Sequence, residues 1–286
     1  MPELPEVETV KRVLETQIKG LYINHVTVRR PEVVAHPSAE EFCALLTGQH
    51  ISNMMRRGKF LGVSLDSGDY FVLHLRMTGG LLFTPPDYPE EKHTHIIFKM
   101  SNGYELRFSD PRRFGRFWFL QKGETDTHSG IAKLGLEPFD KNMTADYLQT
   151  HFGKRKKTIK ECLLEQNVIA GIGNIYSDEI LFTAGIYPGR RADSLTKHEW
   201  QCLAAVIPER LSYFINKNKI SPEDYLQSKG KDYHNTPFLQ VYGHNGKQCP
   251  KCLESFCRTV IGGRSSVYCP SCQSHEKEGR YYENCR

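Results

Sequence analysis

The chain has 286 residues, 39% of them hydrophobic and 25% charged, which excludes a mostly disordered chain, a coiled-coil rod and a collagen. At roughly 100–200 residues per domain the length suggests two domains with a sizeable core, and no apolar run approaches the roughly 18 residues of a membrane span. The net charge of +5 permits nucleic acid as a partner without demanding it. The start, Met1-Pro2-Glu3, lacks the apolar segment of a signal peptide, so the expected compartment is the cytoplasm or nucleoid.

Leu4, Val7, Val10, Val13 and Leu14 recur at helical spacing. Pro5 suits a first turn, Glu3, Glu6 and Glu8 suit the positive end of a helix, and Gly20 closes it. Residues 21–121 read mainly as strands, at 22–28, 70–75, 95–98 and 116–120, with turn signals at 66–69, 85–86 and 101–103. Short, evenly spaced strands suggest a sandwich or barrel. Residues 134–138 read as a linker to a helical region. There, Thr144 caps a helix over 145–152, helices over 159–166 and 176–184 flank a glycine-rich turn at 168–174, and Thr196 caps a helix over 197–216 that Pro208 would kink or split.

Of nine cysteines, Cys43, Cys162 and Cys202 are isolated and Cys285 lies in the tail. Cys249-x2-Cys252-x16-Cys269-x2-Cys272 has the spacing of a tetrahedral zinc site, structural because four thiolates leave no open position. Cys257, between the pairs, reads as a non-ligand. The segment between them suits a hairpin whose turn, Ile261-Gly262-Gly263-Arg264, displays Arg264. Gly171-Ile172-Gly173-Asn174 opens a helix, where backbone N–H groups suit a phosphate, and Lys154, Arg155, Lys156, Lys157 and Lys160 lie upstream. A second basic cluster is Arg107, Arg112, Arg113 and Arg116. Within Asp110-Pro111-Arg112-Arg113-Phe114-Gly115, arginine beside an aromatic suits base-edge contact and wedging into a base stack, or equally a turn with Phe114 in the core.

Pro2 gains chemistry if Met1 is removed. Its secondary α-amine, titrating near ~8, would attack an aldehyde carbon to give a cationic iminium, an electron sink that promotes elimination; Glu3 and Glu6 could shuttle protons. Lys59 reads as a surface lysine before a strand. His74, His93 and His95 are candidate phosphate contacts or metal ligands, or else ordinary hydrogen-bonded histidines, the reading preferred for His95. No Walker loop, nucleophile-elbow serine or dinucleotide fingerprint is present, so no organic cofactor is expected.

In order along the chain, residues 1–9 (Met-Pro-Glu-Leu-Pro-Glu-Val-Glu-Thr), Arg56-Arg57-Gly58-Lys59, His74-Leu75-Arg76-Met77, residues 110–115, residues 170–176 and the four-cysteine finger resemble the bacterial formamidopyrimidine-DNA glycosylase family. Pro-Glu-Leu-Pro-Glu favours this branch over the related endonuclease VIII branch. The resemblance implies an α+β multidomain fold. Residues 1–134 would form an N-terminal helix and β-sandwich, 135–238 a helical domain with a helix–two-turn–helix, 239–273 a zinc finger holding one structural zinc ion, and 274–286 a polar, disordered tail. The implied protein is a monomer that holds damaged double-stranded DNA in a cleft between domains.

The implied activity is bifunctional: a base-excision-repair DNA glycosylase and AP lyase that flips out 8-oxoguanine or a formamidopyrimidine. Pro2 would attack C1′, Glu3 act as general acid, Lys59 donate a proton in β-elimination, and Arg264 serve δ-elimination and phosphate binding. Met77, Arg112 and Phe114 match the residues that fill the hole left by the flipped base. His93, Arg155, Lys160, Asn174 and Tyr242 match contacts to the DNA backbone. Residues 216–225 lack the Gly-Gly-Ser/Thr run of the family's lesion-closing loop, which bears on lesion preference. The competing readings are a non-catalytic zinc-finger DNA-binding relative, and a same-fold glycosylase for oxidised pyrimidines or abasic sites.

Overall fold

The computed structural model describes residues 2–230 and 235–273; the expected disordered tail, 274–286, lies outside them. Residues up to Ala132 and the return segment from Asn218 form one compact unit, and Lys133–Lys217 with the stretch from Asn235 form a second.

The first unit opens with α1 (Leu4–Ile18), whose Leu4, Val7, Val10, Leu14 and Ile18 are fully buried. Glu3 caps the helix, and its N–H donates to Glu6 Oε2 at 2.9 Å, which satisfies one end of a capping box. There follow β1 (Ile23–Val28), β2 (Val34–His36), α2 (Ala39–Leu46), β3 (Ile51–Arg57), β4 (Phe60–Leu65), β5 (Tyr70–His74), β6 (Gly80–Thr84), β7 (Thr94–Met100), β8 (Glu105–Ser109) and β9 (Arg116–Leu120). One sheet has the order β1-β7-β8-β6 and the other β2-β9-β5-β4-β3; the β2–β9 pair is parallel and the rest antiparallel. Aromatics from the two inner faces meet: Phe71 stacks on Phe98 at 5.4 Å, and Phe108 stands edge-on to Phe117 at 4.9 Å. The architecture is a sandwich, and α1 packs on β3, β4 and β6.

The second unit contains α3 (Ala145–Phe152), α4 (Ile159–Leu163), α5 (Asn174–Ala184) and α6 (Lys197–Lys217). Thr144 and Thr158 cap α3 and α4 through their hydroxyls. Helix α4 is shorter than the expected 159–166 because Gln166 serves the turn. Its amide donates to the Ile172 carbonyl at 2.7 Å and accepts the Gly171 N–H at 2.9 Å. Helix α6 is not split by Pro208: Trp200, Leu203, Ile207, Leu211 and Phe214 are buried on both sides of it, and α6 packs against α3 and α5. That packing outweighs the lost backbone bond.

Residues 218–230, which the linear division assigns to the helical domain, cluster instead with the first unit. The stretch expected as a loop holds the end of α6, a short connection and α7 (Pro222–Gln227), capped by Ser221. Tyr225 drives this docking: it is buried in the sandwich core and its hydroxyl donates to the Leu81 carbonyl at 3.1 Å. The finger hairpin, β10 (Cys257–Ile261) and β11 (Arg264–Tyr268), is part of the second unit. Its Phe256 and Val267 share a small core with Phe182 of α5. Among the described residues no helix is long and apolar enough to cross a membrane.

Candidate active site and nucleic-acid interface

Pro2 and Glu3 are buried at the head of α1. The β3–β4 turn that carries Lys59 is braced against this helix: Arg56 Nε pairs with Glu8 at 2.9 Å while its Nη1 donates to the Gly58 carbonyl at 3.1 Å. Lys59 is buried rather than a surface lysine, at 8% exposure. Its neighbour Phe60 pairs in register with His74 on β5. Burial, followed by the Arg76 and Lys59 charges, pushes the His74 imidazole down to about 3. The Arg76 N–H donates to its Nδ1 at 3.0 Å, so the neutral ring carries its proton on Nε2. His74 is thus a neutral donor, not a cationic phosphate contact. His95 is the hydrogen-bonded histidine expected, bonded through Nε2 to the Asp110 carbonyl at 2.8 Å, and the fold buries it.

Two loops bring Met77, Arg112 and Phe114 together. Arg112 Nη1 lies 3.3 Å from Met77 Sδ, and its guanidinium sits 4.7 Å from the Phe114 ring centre. Met77 and Phe114 are 47% and 46% exposed, so Phe114 is displayed and not packed in the core. Arg76 and Arg113, beside them, hold φ near +55°, a left-handed conformation that non-glycine residues adopt at a cost. Gly115 follows because a Cβ there would stand 2.5 Å from Phe108 Cζ. Arg107 leaves the basic cluster: it is buried against Glu105 at 2.7 Å. His93 is half-buried and lines a cavity of about 350 Å3 with Met77, Thr78, Ser109, Glu91 and Lys229. Lys229 and Glu91 pair there at 2.8 Å.

In the second unit Lys154, Lys156 and Lys157 are exposed, and Arg155 is half-buried, paired with Glu165 and lying over the Phe152 ring. Lys160 departs from the expected backbone contact. It is fully buried, with Nζ 2.7 Å from Asp178 Oδ1 and 3.1 Å from the Ser265 carbonyl. Its position in α4, beside buried Ile159, Cys162 and Leu163, turns it into the core. Asp178 also accepts from the Ser266 hydroxyl at 2.6 Å and the Val267 N–H at 3.0 Å. Asn174, the first residue of α5, donates to the Ser265 carbonyl at 3.1 Å. The hairpin is thereby fixed to the two helices. Gly262 and Gly263 both have positive φ, the condition for a two-residue type I′ turn, and Arg264 is exposed beside them. Tyr242 is set by Glu179, whose buried carboxylate accepts the successive N–H groups of Gln240, Val241 and Tyr242. Asp178 and Glu179 escaped the sequence reading, and Asp110 stood in the 110–115 motif with no role given to it. For the first two the signal was a pair of acids in a helix, residues 174–184, otherwise rich in apolar residues.

The four cysteine sulfurs lie within 4.8 Å of one another. Cys249 Sγ is 3.7 Å from Cys272 Sγ, and Cys252 Sγ is 3.4 Å from Cys269 Sγ. Zinc–sulfur bonds of about 2.3 Å give tetrahedral edges of about 3.8 Å, so this donor set fits a zinc ion. The Lys251 and Cys272 N–H groups each donate to a ligand sulfur at 3.4 Å. Cys257 stands outside the cluster, against the Ser255 carbonyl.

The Formamidopyrimidine-DNA glycosylase N-terminal domain model matches residues 1–117, and the Formamidopyrimidine-DNA glycosylase H2TH domain model matches residues 134–224. The chain is 41% identical over 273 residues to a formamidopyrimidine-DNA glycosylase of Pelotomaculum thermopropionicum, covering 96% of this chain and 99% of that one. It is 45% identical over 253 residues to the Moorella thermoacetica protein of that name, covering 88% and 92%. The structure of Lactococcus lactis Fpg in complex with DNA containing FAPY-dG matches with a TM-score of 0.83 at 33% identity, over 95% of this chain and 100% of that one. The complex of the same enzyme with abasic-site DNA matches with 0.84 at 32% identity, over 96% and 100%. A buried Pro2-Glu3 helix head, an exposed cluster of Met77, Arg112 and Phe114 and a cysteine hairpin fixed to a helix pair therefore sit on a chain whose near full-length relatives share one name: it belongs to the formamidopyrimidine-DNA glycosylase family and is a DNA glycosylase of oxidised-base repair.

Proposed function

We propose that this chain excises oxidised purines, 8-oxoguanine and formamidopyrimidines, from double-stranded DNA and then cleaves the strand as an AP lyase. The observation that carries the proposal is Pro2 beside Glu3 at the head of α1, in the same unit as the Met77, Arg112 and Phe114 wedge. With Met1 removed, the Pro2 nitrogen attacks C1′ of the flipped nucleotide and the base leaves with a proton from Glu3. The product is an aminal that gives up the Pro2 N–H proton; its C1′–O4′ bond then opens as O4′ takes a proton, and the iminium so formed draws electrons from C2′. Loss of the C2′ proton expels the 3′ phosphate, and a second elimination expels the 5′ phosphate. Lys59, buried in the β3–β4 turn near His74, exchanges protons in the first elimination. Arg264, exposed on its turn, binds phosphate and serves the second. Met77, Arg112 and Phe114 fill the vacated stack, with Arg112 toward the orphaned cytosine. His93, Arg155, Asn174 and Tyr242 hold the DNA backbone. Cys249, Cys252, Cys269 and Cys272 would hold one zinc ion, which supplies rigidity and no chemistry.

Borohydride trapping on a duplex with one 8-oxoguanine opposite cytosine tests this, with Pro2→Gly as control. A reduced covalent adduct in the wild type, lost in the variant, is expected. Absence of adduct on both this duplex and an abasic duplex, with mass spectrometry showing Met1 removed, would refute the lyase and leave a DNA-binding relative. The Lactococcus lactis enzyme was also solved with DNA containing an oxidised pyrimidine. An oxidised-pyrimidine duplex in the same panel therefore separates the purine reading from a pyrimidine one.

A further inference from the structure

Asp110 is fully buried at the end of β8, yet no step above uses its carboxylate. Its Oδ1 accepts the Thr78 hydroxyl from the Met77 loop and the Arg112 N–H at 3.2 Å from its own loop. Its Oδ2 accepts the Gly115 N–H at 2.8 Å, just past Phe114. Its backbone engages both neighbouring histidines: its N–H donates to the His93 carbonyl at 3.0 Å, and its carbonyl accepts from His95 Nε2 at 2.8 Å. One carboxylate thus fastens two loops that lie more than thirty residues apart in sequence, distinct from the cap at Glu3 and the turn at Lys59. The fastening matters because both loops hold strained, left-handed arginines, Arg76 and Arg113, which persist only where the surroundings fix them.

We infer that Asp110 is the positioning residue of the wedge: it sets Met77, Arg112 and Phe114 in mutual register so that they enter the base stack together. This rests on the proposed glycosylase reading, in which the trio fills the hole left by the flipped base. Asp110 touches no substrate, and its effect is confined to steps that require an intact duplex around the lesion.

Two full-chain variants test the inference. Asp110→Asn keeps the size but turns an NH2 donor toward donors, either Gly115 or the Thr78–Arg112 pair. Thr78→Val breaks only the bond between the two loops. Three readouts are compared: single-turnover excision of 8-oxoguanine from a duplex, β-elimination at a preformed abasic site in single-stranded DNA, and fluorescence of 2-aminopurine beside the lesion, which reports unstacking. Losing hydrogen bonds to a buried carboxylate predicts a fall of about tenfold or more in duplex excision for both variants. The fluorescence rise should fall with it, while single-strand elimination stays within about twofold, because no hole needs filling there. Asp110→Asn in an Arg112→Ala background should add little further loss.

Duplex excision and fluorescence close to wild type in both variants would overturn the inference. So would an equal loss of single-strand elimination. If Asp110→Asn does not fold, Thr78→Val decides alone. If the wild type itself fails to eliminate at abasic DNA, the lyase reading fails, and the fluorescence comparison still judges the wedge.

Discussion

Lys160→Met probes the joint between the α4–α5 helix pair and the finger hairpin. Lys160 Nζ and Asp178 Oδ1 lie 2.7 Å apart with neither side chain exposed. At an effective dielectric of about 20, that separation gives an attraction of about 6 kcal/mol. Removing both ions from water costs several kcal/mol each, so the intact pair is near balance. Its truncation is not, because the Asp178 carboxylate stays buried with the Ser266 hydroxyl and Val267 N–H as remaining donors. The expected loss is about 3–5 kcal/mol near neutral pH. Burial already pushes the Asp178 carboxyl above its ordinary range against the pull of Lys160, and without Lys160 it rises further. For a carboxyl raised in the folded state, the stabilising contribution is complete below the unfolded value of about 3.9 and fades as pH climbs through the folded one. The Lys160→Met deficit is therefore larger near neutral pH than near pH 5, and Lys160→Met with Asp178→Asn recovers part of it. Denaturant unfolding of zinc-loaded protein, with hydrogen exchange followed along β11, measures both effects. A deficit under about 1 kcal/mol at neutral pH, or one that grows on acidification, would show that Lys160 does not hold a buried Asp178 charge at this joint.

His74, held down to about 3 by burial and then by Arg76 and Lys59, binds its proton more weakly folded than unfolded. It therefore contributes stability that is lost as pH falls from the ordinary 6.5 toward about 3. Nitrogen NMR should find its ring neutral and Nε2-protonated at mildly acid pH, and a midpoint near the ordinary value would contradict this. The finger should carry one zinc ion per chain, retained in Cys257→Ser and lost in Cys249→Ser, measured by metal emission on desalted protein. Zinc loss from Cys257→Ser would show that the ligand set is misassigned.

What the sequence made legible is local. The apolar spacing of Leu4 to Leu14 with Pro5 marks α1, and two Cys-x2-Cys pairs mark the metal cluster. Adjacent glycines at 262 and 263 mark the turn that displays Arg264. Each depends on residues within a turn or two of one another, or on a spacing that metal geometry dictates. The return of residues 218–230 to the first unit was hidden because it depends on Tyr225 meeting Leu81 across 144 residues. From its own residues the 110–115 stretch left Phe114 equally suited to core or surface; only the resemblance grouped it with Met77 and Arg112, beside which it lies exposed.

Lys160 shows the same limit for charge. Five cations over residues 154–160 form one basic cluster in the sequence, yet α4 turns the last of them inward to Asp178. In both units an exposed arginine stands near a positive-φ turn, Arg112 in one and Arg264 in the other, with a buried carboxylate beneath the same element. The arginines announce themselves by type and motif. Asp178 does not, and Asp110 stands in a motif that says nothing of its role, because the burial that defines both is a property of the assembled core. A buried carboxylate that accepts three or more donors holds a loop at one geometry, and the arginine above it can then meet a phosphate or an orphaned base without first being ordered. The exposed arginines proposed to meet DNA are thus readable from sequence, while the buried carboxylates that hold them are readable only from the fold.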